Sequence, residues 1–218
     1  AGLSIYLEDR DLEGFIKKAD ADLRSKLNLP KEYHIEWAGQ YKNLERARNR
    51  MLIIIPFTFF LIFILLLQNV KDLLQTLLIL VGIPLATTGG ILLLWMRGIT
   101  FSVSATVGLI ALSGIAVLNG TVLVNFFNQL RKEGYELYEA VHHGTLTRLR
   151  PVLMTALVAG LGFLPMALNT GVGAEVQRPL ATIVVGGLFT STVLTLLILP
   201  YLYLALERRR EKRRQKRA

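Results

Sequence analysis

Residues 99–130 read ITFSVSATVGLIALSGIAVLNGTVLVNFFNQL, thirty-two consecutive positions without a charged side chain. About 20 apolar residues in a helix rising 1.5 Å each are enough to cross the hydrocarbon of a bilayer. The stretch is therefore predicted to be a membrane-spanning helix over about 101–127. Lipid offers no partner to free backbone groups, and the run lacks the alternating ten-residue pattern of an outer-membrane barrel, so a helix is the expected form.

Working outward, Arg97-Gly98 closes another apolar run, Leu73–Met96, and Lys71-Asp72 separates that one from a first run over about 50–70. On the other side, further runs are predicted at 151–168, opened by Pro151 as a first-turn proline, and at 180–206. The reading is an α-helical polytopic membrane protein with five transmembrane helices. Composition agrees: 52% of residues are hydrophobic, and the mean hydropathy is +0.45.

Charge is confined to ends and connectors. Residues 1–50 hold ten Lys/Arg and nine Asp/Glu, and RRREKRRQKR at 208–217 supplies eight more basic groups. That tail dominates the formal charge of +9, but it directly follows an apolar run. It reads as a cytoplasmic flank against membrane lipid rather than as a nucleic-acid surface. Alternation then places the tail and the 131–150 connector inside, with the first segment, the Arg97 turn and the 169–179 loop outside. Tyr135, Leu137, Tyr138 and Val141 among charged neighbours predict a short interfacial helix in that connector.

The first forty residues read as β-α-β. Leu3, Ile5 and Leu7 alternate with polar positions. Leu12, Phe15, Ile16, Ala19 and Leu23 recur at helical spacing up to about Lys26, and Tyr33, Ile35 and Trp37 alternate again. Such a unit is too small to bury much core by itself and is expected to be a corner of a larger domain. The opening AGLSIYLEDRD has neither a cleavable signal pattern nor an initiating methionine, which predicts a piece of a longer chain.

Chemistry-bearing patterns are sparse. There is no cysteine, no phosphate-binding glycine loop and no nucleophile elbow, so neither an ATPase nor a hydrolase is read here, and no cofactor is expected. His34 and the adjacent His142 and His143 lack partners at ligand spacing, so no metal site is assigned. No ionisable group lies deep in any span, although charge-coupled pumps normally carry one. Asn119 is the most prominent intramembrane polar residue. Small residues such as Gly82, Gly89, Gly90, Gly108, Gly114 and Gly120 are expected to let helices approach closely.

Four stretches in order, WAGQYKNLERA (37–47), TFSVSATVGLIALSGIAVLNGTVLVNF (100–126), TRLRPVLMTALVAGLGFLPMAL (147–168) and GVGAEVQRPLATIVVGGLFTSTVLTLLILPYLY (171–203), resemble the C-terminal end of a resistance-nodulation-division efflux pump. GAEVQRPLA resembles the heavy-metal branch, and AVLNG its divalent-cation members, the cobalt-zinc-cadmium exporters. The resemblance implies that residues 1–40 are part of a periplasmic porter subdomain, 41–206 the last five transmembrane helices and 207–218 a basic cytoplasmic tail. It implies an inner-membrane location, a homotrimer built with the rest of the protomer, and a periplasmic adaptor and outer-membrane channel as partners. It further implies proton-driven cation efflux in which Arg148 and Thr155 match relay-associated positions and Asn119 a polar position on the preceding span. Leu118 departs from the pattern, because related exporters carry lysine or glutamate there. The family's relay carboxylates and its metal-binding residues fall outside this sequence, so the chain alone is not expected to transport. A membrane-embedded structural or assembly subunit is the alternative reading.

Overall fold

The computed structural model describes residues 12–26, 40–171 and 173–215, and the chain divides into two compact units, 1–54 and 55–218. In the first unit, α1 spans Leu12–Lys26, the helix expected there, and buries Ile16. The two strands read from Leu3–Leu7 and Tyr33–Trp37 lie outside the described residues.

The second unit is a helical bundle. It takes in the later part of α2 (Gln40–Val70), then α3 (Leu73–Leu80), α4 (Gly82–Met96), α5 (Val103–Lys132), α6 (Leu137–Leu168) and α7 (Ala174–Gln215). Among the described residues, five segments, counting α3 and α4 together, are long and apolar enough to cross a membrane.

Three local outcomes differ from the sequence reading. The second span is not one helix but breaks at Val81 into α3 and α4. Pro84 has no N–H to give the carbonyl four residues back, and Gly82 holds the chain weakly in a helix, so the interruption falls just before them. The connector helix and the fourth span are instead one helix, α6, with Pro151 inside it. Leu137, Ala140, Val141 and Gly144 are buried, and a Cβ on Gly144 would lie 2.7 Å from the Phe127 ring. Packing against α5 thus carries the helix through the proline. The last helix begins at Ala174 and continues through the basic segment to Gln215.

Capping sets the ends. Asp72 accepts from the backbone N–H groups of Leu74 at 2.9 Å and Gln75 at 3.2 Å, opening α3. Ser102 does the same for α5 through Ala105 N–H at 3.3 Å. Between α2 and α3, Lys71 takes a left-handed φ of 56°.

α7 packs against α3, α4, α5 and α6. Close approach is achieved with glycine: a Cβ on Gly108 would meet the Leu180 carbonyl at 2.8 Å, and one on Gly186 the Gly89 carbonyl at 2.8 Å. Two apolar clusters stack along the bundle. One gathers Ala86, Leu94, Leu112, Ile183 and Leu188, and the other Ile79, Leu123, Phe127, Leu199 and Tyr203. Several hydroxyls turn back on the backbone of their own helix, as Ser113 does to Leu109 O and Thr192 to Leu188 O, both at 2.7 Å.

Candidate functional site

Asn119 lies on α5 between the two apolar clusters. It is 8% exposed, and its Nδ2 has no hydrogen-bond partner. Arg148, on α6, sets its guanidinium carbon 4.5 Å from the centre of the Phe126 ring of α5, a cation–π contact. Its Nε is buried and unpartnered. Thr155 donates its hydroxyl to Val152 O of its own helix at 2.9 Å and is otherwise exposed, in a recess with Met154, Val158 and Ala159.

Register relates the three. Arg148 sits on Phe126 and Gly144 on Phe127 and Leu130, so α5 and α6 run antiparallel. Seven residues separate Arg148 from Thr155, and seven separate Phe126 from Asn119, which is about 10 Å along each helix. Thr155 and Asn119 therefore share a depth in the bundle, with Arg148 two turns away. They do not meet: Asn119 faces inward and Thr155 outward. Leu118 of α5 is 61% exposed, and α6 also carries exposed apolar side chains, among them Leu157, Val158 and Leu161.

A second polar constellation occupies the bundle end that carries the basic extension. Arg210 grips Asp72, with Nη1 at 2.5 Å from Oδ2 and Nη2 at 2.8 Å from Oδ1, and also bonds Glu207 at 3.0 Å. Gln75 donates to Glu207 at 3.0 Å and accepts from Asn128 at 2.8 Å, while Tyr203 donates to Asn128 Oδ1 at 2.7 Å. Arg131 closes the outer side on Glu211 at 2.6 Å. The Arg210 hydrogen bonds, with help from the α3 backbone N–H groups, hold the Asp72 carboxyl below its ordinary value against the opposing effect of burial. The sequence reading missed this group. The only signal for it was polar residues at the ends of otherwise apolar runs.

At the opposite end, Arg97 donates to Thr182 Oγ1 at 2.7 Å, and burial followed by the nearby Arg178 charge lowers its pKa. Among the described residues no three His, Asp or Glu side chains converge to hold a metal ion. His142 and His143 stack instead on Tyr138 and Tyr135, with ring centres 6.0 Å apart in each pair.

A helical bundle with a buried polar layer and five membrane-length helices defines a multi-pass membrane protein. The sequence matches the AcrB/AcrD/AcrF family over residues 3–207, and the chain belongs to that family. It is 50% identical over 209 residues to the cobalt-zinc-cadmium resistance protein CzcA of Cupriavidus metallidurans, covering 96% of this chain and 20% of that protein. It is 49% identical to the nickel and cobalt resistance protein CnrA of the same organism, covering 91% of this chain and 19% of the other. The crystal structure of a heavy metal efflux pump superposes with a TM-score of 0.78 at 45% identity, over 92% of this chain and 20% of that one. The chain thus spans about a fifth of the length of these relatives.

Proposed function

We propose that this chain is the C-terminal portion of a proton-driven efflux pump for divalent heavy-metal cations, and that it is not competent alone. The observation that carries the reading is the 50% identity to a cobalt-zinc-cadmium resistance protein over nearly the whole chain. A relative named for nickel and cobalt supports the divalent class. Cobalt is common to both names and is the cation to test first.

In this reading Asn119, Arg148 and Thr155 border the proton pathway from one side. The common depth of Asn119 and Thr155 supports it, as do the exposed apolar side chains Leu118 on α5 and Leu157, Val158 and Leu161 on α6, which suit packing by the rest of the protomer. The carboxylates that bind the proton would come from that missing part, because among the described residues no carboxylate lies near the Asn119 layer. Residues 1–40 would complete a porter subdomain on the periplasmic side, and 207–218 would face the cytoplasm of an inner-membrane protein. The assembly would be a homotrimer that engages a periplasmic adaptor and an outer-membrane channel.

The test has two arms. Purified and reconstituted alone in liposomes, the chain is expected to show no proton-coupled cobalt flux; such flux would overturn the requirement for the missing part. In an intact pump carrying this segment, Thr155→Val is expected to lower cobalt efflux while leaving membrane insertion unchanged. Full efflux by that variant would remove Thr155 from the pathway.

A further inference from the structure

Beside the Val81 break in the second span lies a cavity of about 20 Å³ bounded by Val81 and Gly82 at the break, Ala116 and Gly120 on α5, and Ser191 and Thr195 on α7. All its other lining side chains are apolar. Ser191 is 2% exposed, and its hydroxyl makes no hydrogen bond. That is unusual in this bundle. Ser113, Thr121, Thr145 and Thr192 each bond the carbonyl four residues back at 2.7 Å, and Ser191 forgoes the same option. At the break, Pro84 provides no N–H, so the Leu80 carbonyl loses its helical donor.

Register adds a further buried polar group at this depth. Leu112 packs on Gly187, and the Phe127 and Tyr203 rings lie 5.1 Å apart, so α5 and α7 run parallel and Asn119 falls level with Leu194 and Thr195. The layer between the two apolar clusters therefore holds two unpartnered polar atoms, Asn119 Nδ2 and Ser191 Oγ.

A water needs roughly 10–15 Å³ of such volume and two to four polar partners. We propose that this cavity is a binding site for one water molecule, which accepts from the Ser191 hydroxyl, pairs with Thr195 and donates to a backbone carbonyl released at the Val81 break. The break then becomes a hinge. α3 and α4 are joined there through a water that can exchange its partners, rather than through fixed helical bonds, so the two halves can change their mutual angle without leaving a polar group bare. The site lies among α3, α4, α5 and α7, away from the α6 face that carries Thr155, and it stands whether or not the chain conducts protons.

Removing a hydroxyl distinguishes a wet site from a dry one by sign. In the membrane protein purified into nanodiscs, Ser191→Ala is expected to lower the thermal midpoint by about 2–4 °C, because the water loses a partner. In a dry cavity the same change deletes an unsatisfied hydroxyl, so an unchanged or raised midpoint would overturn the proposal. Radiolytic labelling of the unmutated protein in ¹⁸O water needs no variant. Leu78 and Leu194, which line the cavity, should take up more ¹⁸O than Leu112, which is buried in the apolar cluster. Equal labelling of the three would also overturn the site.

Discussion

Arg210 and Asp72 lie 138 residues apart in the chain and form a two-point ion pair, at 2.5 and 2.8 Å, that ties the basic extension of α7 to the first turn of α3. Asp72 serves two roles at once, as the N-cap of α3 and as the anchor for Arg210. The roles are separable by mutation. Asp72→Ala loses both, and should cost about 1–2 kcal/mol, combining a typical cap with a partly exposed pair. Arg210→Gln keeps the cap and should cost less than about 1 kcal/mol. Denaturation of both variants in detergent micelles checks the ranking; equal losses would mean that the cap contributes nothing.

The same pair sets a pH dependence. The Asp72 carboxyl is held below its ordinary value of 3.8 in the folded protein. Its stabilisation is therefore complete above the unfolded value and is lost as pH falls through the lower folded one. The stability gap between the natural protein and Asp72→Asn should be constant from pH 7 to pH 5 and should shrink below pH of about 4. A gap that grows on acidification would contradict the assignment.

Helix approach depends on particular glycines rather than on glycine content. A Cβ at Gly108 would press on the backbone of α7, 2.8 Å from Leu180 O and 3.2 Å from Leu180 Cα, whereas one at Gly114 meets nothing within 4 Å. Gly108→Ala should destabilise the bundle by about 1–3 kcal/mol, since a backbone cannot rotate away as a side chain can. Gly114→Ala should be neutral or stabilising by up to about 1 kcal/mol, from helix propensity. Thermal unfolding of the two variants side by side makes the comparison.

Phe126 holds Arg148 in place. Phe126→Leu keeps an apolar side chain but removes the ring face, and should weaken the α5–α6 contact by about 0.5–1 kcal/mol. Phe126→Tyr should retain the contact. Loss of stability in both, or in neither, would indicate that the ring acts only as bulk.

How much of this was legible in the sequence differs from element to element. The membrane-length helices were, because an uncharged run such as 99–130 leaves the backbone one economical way to satisfy its hydrogen bonds in lipid. The continuity of α6 was not. Pro151 is a plausible first-turn residue, and only the burial of Val141 and Gly144 against α5 explains a helix that runs through it. Asn119 stood out as an isolated amide in an apolar stretch, and it is buried. That Thr155 faces outward is a matter of helix phase, which seven-residue spacing from Arg148 leaves open. The Asp72–Arg210 pair was beyond any local pattern, since neither periodicity nor spacing relates residues in different spans.

α7 is 42 residues long, about 63 Å from end to end, and it touches four other helices on the way. A rod of that length pivoting near its middle swings its two ends in opposite directions, and a 5° tilt shifts each by roughly 3 Å. The ion pairs of Arg210 and Arg131 sit on one arm of this lever and the Thr182 contact to Arg97 on the other. A rearrangement that strains one set of contacts is therefore felt mechanically at the other, across the full thickness of the membrane.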